Sequence, residues 1–367
     1  MKKVLVAVLA LSLVFILAAC NGEEDEVEIA MITDYGDIDD ESFNQGTWEG
    51  IEEYAEEHGI EHRYYRPSEV SDAEYINSID MAVADGADVV VTPGFLFEIA
   101  IYESQYNHPD VKFIILDGEP RPEEEAEADV ADNTVAIYYD EHESGFLAGY
   151  GAVKEGLTNH GYMGGMAVPA VVRFGVGYIA GAYYAAAEED VSLTFPDDRY
   201  TYLDSFDPSD EFESRAAGWY EDGTEVIFAA AGGAGTSVMS AAGDEEAWMI
   251  GVDVDQSAES DTVLTSAMKD LAGSVQRVLD QYYDDEFPGG ETQFLSATEG
   301  GVGLPVERED DLDPWRFETF TVEEYEAIFD DLADGTVDVP ATYEELETFI
   351  DENDLDPIDI EEETVEP

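Results

Sequence analysis

Short, almost unbroken apolar runs alternate with helix-length amphipathic segments along this chain, and the alternation occurs in two successive series. In the first series the spacing predicts strands at 27–33, 62–66, 88–92 and 112–117, with helices at 42–58, 73–84 and 96–106 between them. The second series begins after an acidic loop at 123–132. It predicts strands at 161–166, 201–205, 226–230 and 248–252, with helices at 144–154, 175–189 and 211–221. Runs such as Val89-Val90-Val91 have no polar face. A strand of that kind must be covered on both sides, which implies parallel sheets with helices on both faces. Two such series predict two doubly wound α/β lobes with a ligand cleft between the carboxyl ends of their sheets.

The N-terminus sets the cellular address. Lys2 and Lys3 precede the apolar run Val4–Ala19, which falls short of the roughly 20 residues a membrane span requires. Basic start, apolar stretch and small residues follow the order of a secretory signal. Leu17-Ala18-Ala19-Cys20 resembles a bacterial lipobox, in which the only cysteine of the chain becomes the lipidated N-terminus. Residues 1–19 are therefore read as a signal peptide, and 20–28 as lipidated Cys20 with its tether. The protein is expected at the extracytoplasmic face of the cell membrane, held by its lipid. Removing residues 1–19 leaves about 350, more than one core usually serves.

Charge narrows the partners. There are 14 Lys and Arg against 89 Asp and Glu, a formal net charge of -75. Nucleic acid is excluded, because its binding needs a basic surface. With 44% hydrophobic and 11% aromatic residues in periodic segments, the chain folds in spite of its acidity. Such a coat suits molar salt, which screens the repulsion, with an alkaline habitat as the alternative.

The segment that leaves the first strand and enters the first helix is rich in polar groups: Thr33-Asp34-Tyr35-Gly36-Asp37-Ile38-Asp39-Asp40-Glu41-Ser42-Phe43-Asn44-Gln45. Asp40 or Ser42 can serve as an ordinary helix cap. Phe43 can either staple the helix or offer a flat face at the cleft. Asp253, at a strand end, is a turn residue or a cleft acid. Lys269, one of few basic residues, is a solvated helix lysine or a cleft cation.

Thr33-Asp34-x-Gly36-x-x-Asp39-Asp40-x-Ser42-Phe43-Asn44-Gln45-x-x-Trp48-x-Gly50 resembles the signature of the basic membrane protein family. Its members are lipoproteins that serve as nucleoside-binding subunits of ABC transporters, of the purine nucleoside receptor A type. Gly145-Phe146-Leu147-Ala148-Gly149, Phe174-Gly175-x-Gly177-Tyr178, Ala230-Ala231-Gly232-Gly233-Ala234-Gly235, Ile250-Gly251-Val252-Asp253-x-Asp255-Gln256 and Thr265-Ser266-x-Met268-Lys269 are similar to further family blocks. The resemblance covers about 27–339.

It implies a type I periplasmic-binding-protein fold: two doubly wound parallel-sheet lobes joined by a multi-strand hinge, with crossovers near Asn133, Asp253 and Gly300. One lobe would hold 29–132 with about 254–298, and the other 133–252 with about 299–350. Residues 351–367 would form a disordered acidic tail. The resemblance also implies a base sandwiched between two rings, Phe43 and either Phe206 or Phe174. Asp34 and Asp40 would lie at the base edge, Asp40 standing where the family often has Asn, and Asn44 would be a further ligand-binding residue. Asp253 and Lys269 would hold the ribose, and Gly232 and Gly233 would let backbone amides approach the ligand. The expected protein is a monomeric, non-enzymatic receptor that delivers purine nucleosides to an ABC permease, with no metal or cofactor.

Two other readings of the same residues are a sugar or signal-molecule receptor on this fold and a calcium-dependent nucleoside hydrolase. The hydrolase motif wants an Asp two residues before Asp34, where this chain has Ile32.

Overall fold

The computed structural model describes residues 27–355 apart from 35, 124–125, 309–311 and 354. Cys20, the apolar run before it and most of the expected acidic tail lie outside the described residues.

The first sheet contains β1 (Ile29–Ile32), β2 (His62–Tyr65), β3 (Val89–Pro93), β4 (Lys112–Leu116), β5 (Thr134–Tyr139) and β11 (Glu291–Leu295). Their order is β11-β5-β4-β3-β1-β2, and every pairing is parallel. Helices α1 (Phe43–His58), α2 (Asp72–Ala84), α3 (Glu98–Asn107) and, from later in the chain, α8 (Leu271–Tyr283) cover it. Strand alternation decides what each face meets. Ile29, Met31, Val89 and Val91 pack towards Trp48 and Ile51 of α1. Ala30, Ile32 and Val90 pack towards Tyr75 and Ile79 of α2 and Ile101 of α3.

The second sheet contains β6 (His160–Gly164), β7 (Tyr200–Tyr202), β8 (Val226–Ala230), β9 (Trp248–Asp253), β10 (Val263–Lys269) and β12 (Val302–Gly303). Its order is β12-β10-β9-β8-β6-β7, parallel except for the β10–β12 pair. Helices α4 (Glu141–Lys154) and α5 (Pro169–Glu189) lie against one face, which holds Phe228, Ile250 and Val252. Helices α6 (Asp210–Glu221) and α7 (Gly235–Glu245) lie against the other, which holds Ile227, Ala229 and Met249. α9 (Val322–Ala333) and α10 (Tyr343–Glu352) close the described chain. Each opens on a capping box, Thr321 with Glu324 and Thr342 with Glu345, which satisfies the first free N–H groups of the helix.

α4 and α5 cross at backbone contact. A Cβ at Gly145 or Gly149 would overlap the backbone of α5, and one at Gly177 or Gly181 would overlap the backbone of α4. Four glycines interlocked in this way fix the two helices as one unit.

Sheet membership changes at places other than the expected breaks near Asn133 and Asp253. β5 completes the fifth position of the first sheet, with Val135, Ala136 and Ile137 fully buried. β10 pairs with β9, so residues up to Lys269 stay with the second sheet. The chain crosses at Asp140, between β5 and α4, and at Asp270, between β10 and α8. It crosses again through 296–301, between β11 and β12. Both misplaced strands mix polar and apolar residues, so each crossing comes one strand later than the apolar runs imply. At the other end, α10 runs through Glu352, past the point where the acidic tail was expected to begin.

Candidate functional site

The carboxyl ends of the two sheets face each other across a cavity of about 600 Å³. It brings together Asp34, Asp40, Phe43, Asn44, Phe174, Phe206, Gly232, Gly233, Asp253 and Lys269, all ten ligand-site candidates of the sequence. Among the described residues, no group of three or more His, Cys, Asp or Glu is placed to hold a metal ion.

The first loop is organised by Asn44. Its side-chain amide donates to Asp34 Oδ1 at 2.8 Å and to Asp40 Oδ2 at 2.9 Å. Asp40 also accepts the backbone N–H groups of Ser42, Asn44 and Gln45 at 2.9, 3.1 and 3.0 Å. Asp40 therefore caps α1, and both its oxygens are engaged in doing so. Burial pushes its carboxyl up to about 6, against the pull of those hydrogen bonds. Ser42 bonds elsewhere: its Oγ donates to Asp253 Oδ2 at 2.5 Å, which joins the start of α1 to the end of β9.

Lys269 occupies the centre. It is 4% exposed, and its Nζ lies 2.6 Å from Asp117 Oδ2, 3.2 Å from Glu141 Oε1 and 3.6 Å from Asp253 Oδ1. The same ammonium stands 4.7 Å from the Phe43 ring, 5.2 Å from Phe174 and 5.6 Å from Tyr139, within cation–π range of all three. Burial alone would lower its pKa, but the three carboxylates outweigh that and raise it. Arg173 Nε adds a second cation, 2.5 Å from Glu141 Oε2. Burial opposes the charge on Glu141, yet Lys269 and Arg173 together hold it below its ordinary range. Asp117 shifts the other way: burial drives it up, and Lys269 only partly offsets this.

Asp117, Glu141 and Arg173 are not distinguished by the sequence reading. Asp117 has one usable signal, an Asp-Gly step directly after an apolar strand. There it takes φ +53°, as Asp253 takes φ +67° at the end of β9, a region non-glycine residues rarely enter. Its second oxygen, Oδ1, is buried and accepts no hydrogen bond from the protein.

The three candidate rings have different surroundings. Phe174 is 2% exposed and packs edge-on against Phe228 at 5.9 Å, as part of the core below Lys269. Phe43 and Phe206 are only partly buried and belong to opposite sides of the cleft. Phe206 rests against Gly165 and Gly232: a Cβ at Gly165 would overlap its ring, and one at Gly232 would lie 3.3 Å from it. Its carbonyl accepts the Ala234 N–H at 2.7 Å, which ties it to the glycine loop.

Further along the first sheet, the cavity wall changes character. Arg121 Nε lies 2.8 Å from Glu98 Oε2, and Glu98 Oε1 accepts the Glu119 N–H at 3.1 Å. Beside them the rings of Tyr138 and Phe294 stack at 5.5 Å and 12°.

Comparison with known proteins places the chain in a family. Residues 27–338 match the family model described as ABC transporter substrate-binding protein PnrA-like. The ABC transporter nucleoside-binding protein BmpA of Lactococcus lactis is 29% identical over 84% of this chain and 92% of its own. Basic membrane protein A of Borreliella burgdorferi is 29% identical over 83% of this chain and 87% of its own. Among solved structures, an ABC transporter solute-binding protein from Aeropyrum pernix K1 superposes with a TM-score of 0.74. It has 21% identity and covers 89% of this chain and 97% of its own. The shared architecture is the type I periplasmic-binding-protein fold. With residues 27–338, most of its length, matched by one family model, this chain belongs to the PnrA-like ABC transporter substrate-binding proteins.

Proposed function

We propose that this protein is a lipid-anchored receptor that captures purine nucleosides outside the cytoplasm and delivers them to an ABC permease. The observation that carries this reading is the pairing of two part-exposed phenyl rings, Phe43 and Phe206, across a cavity centred on Lys269 and its carboxylates. A purine between the rings gains roughly 1–3 kcal/mol per stacked face, whichever base it is. Asp34 and Asn44 lie at its edge. Ribose hydroxyls donate to Asp253 and to the Asp117 oxygen that accepts no hydrogen bond from the protein, and Lys269, which lies against both carboxylates, donates in turn.

Phe174 takes the supporting role under the ammonium, and Asp40 the structural one at the helix start. Ligand docks on one lobe and meets the other on closure, so binding shifts the population towards the closed form that the permease reads. No covalent step is required. The relative from Lactococcus lactis, named as nucleoside-binding, supports the ligand class. The basic start, short apolar run and Cys20 support the anchor.

The test is calorimetric titration of the soluble chain from Asn21 with inosine, guanosine and adenosine in molar salt. A saturable one-to-one heat that disappears in Asp253→Ala is the expected result. A continuous calcium-dependent heat would show turnover by a hydrolase. No heat from a folded protein would point to sugars or signalling ligands. Incorporation of labelled palmitate, lost in Cys20→Ala, tests the anchor.

A further inference from the structure

The cavity is longer than the nucleoside reading uses. Its floor follows the carboxyl ends of five adjacent strands, β1, β3, β4, β5 and β11. At the ordinary strand spacing this is about 19 Å from end to end. Phe43, Asp34 and Asn44 sit at the β1 end, and Asp117 with Lys269 sits over β4. The stretch over β5 and β11 is left over. It is continuous with the rest and is lined by Glu98, Glu119, Arg121, Tyr138 and Phe294.

We propose that this end is a second subsite, which takes a short cationic substituent on the 5′ carbon of the bound nucleoside. The inference rests on the nucleoside reading above. With the base stacked and the vicinal ribose hydroxyls held near Lys269, the 5′ carbon is the position from which a substituent can leave without breaking either set of contacts.

The walls decide the chemistry of that substituent. Phe294 and Tyr138 are register partners on β11 and β5 with stacked rings, and Phe294 is 62% exposed, so an aromatic face stands open at the cavity mouth. Glu98, Glu119 and Asp140 bring three carboxylates to the same end. Against them stands Arg121, whose nitrogens already have acceptors: Nε on Glu98, NH1 facing the Ala126 carbonyl at 3.4 Å, and NH2 facing Glu119 at 3.9 Å. Arg173 is likewise committed to Glu141. A phosphate would meet repulsion, and among the described residues at this end Arg121 and Arg173 are already paired with carboxylates. An ammonium would find both a π face and carboxylates.

Calorimetry can separate the two readings. Adenosine, inosine and guanosine are titrated first. The tightest parent is then compared with its 5′-deoxy-5′-(3-aminopropylamino) derivative and its 5′-monophosphate. The amine is expected to bind about tenfold more tightly than the parent, and the phosphate at least about tenfold more weakly. In Phe294→Ala and Glu119→Gln the amine's advantage shrinks, while parent affinity stays within about twofold, which also shows that the variants are folded. If the parent binds and the amine gains nothing, or keeps its gain in both variants, the subsite is refuted and the receptor reading stands. If no parent nucleoside binds, both fall together.

Discussion

Lys269 Nζ lies 2.6 Å from Asp117 Oδ2, and this contact ties the end of β10 in the second sheet to the end of β4 in the first. Replacing the lysine strands three buried carboxylates beside Arg173 alone. Lys269→Met should destabilise the chain by about 4 kcal/mol in urea titrations at constant salt. Adding Asp117→Asn should recover part of that loss. Equal stability of Lys269→Met and wild type would show that the ammonium is not what holds the cluster.

The rings should separate by phenotype. Phe206→Ala is expected to weaken nucleoside binding by about 1–3 kcal/mol, roughly 5- to 150-fold, with little change in melting temperature. Phe174→Ala, which empties a core position beside Phe228, should instead cost about 3–5 kcal/mol of stability. The opposite pattern in paired calorimetry and melting data would make Phe174 the stacking ring.

Gly177 lies where a Cβ would overlap the His142 carbonyl. Gly177→Ala should therefore force α4 and α5 apart and cost about 3 kcal/mol in chemical denaturation. Gly218, with open space around it in α6, is the control: Gly218→Ala should be neutral or stabilising.

Glu143 accepts the Ala297 N–H at 2.6 Å, at the third crossover. Burial pushes its carboxyl up to about 7, with Asp140 and Glu299 adding to the rise against that hydrogen bond. In the unfolded chain it titrates near 4.5. Between those values the folded state holds a proton that the unfolded state has released, so this group makes stability fall as pH rises through the window. Glu143→Gln removes the effect. The variant should match wild type near pH 4.5 and exceed it by about 2 kcal/mol at pH 8, a figure reduced for the group's partial exposure. A difference in stability that does not change with pH would count against it.

With 89 acidic against 14 basic residues, folding gathers like charge. The melting temperature should climb steeply between about 0.1 and 2 M KCl and level off once the screening length falls to a few ångströms. A flat dependence would mean that the acidic coat is neutralised within the fold.

Strands β1, β3, β4 and β8 were legible because burial on both faces leaves only apolar residues for them. β5, β10 and β11 were not. They carry Thr, Ser, Tyr, Gln or Lys, since they lead to the hinge or, in β11, form an edge with Phe294 outward. That difference moved two crossovers by a strand. The first loop and Lys269 stood out because an aromatic at a helix start and a lysine in a basic-poor chain are rare events. Glu141 is fully buried beside Lys269, yet one carboxylate among 89 carries no information until its surroundings are known. Asp117 is hidden for the same reason, apart from the glycine that follows it.

The first sheet cannot be completed in the order in which its chain is synthesised. The outer edge of β5 meets its neighbour only when β11 arrives, after the whole run from β6 to β10. A nascent chain thus carries a nearly finished sheet in which the apolar β5 stands at an edge, not yet covered by the more polar β11, and offers a template on which strands of other molecules add. All but the last short strand of the second sheet has emerged by Lys269, before Glu291 appears. The half of the molecule made later can fold first, and the half made first must wait, vulnerable to aggregation, for a strand encoded near the end.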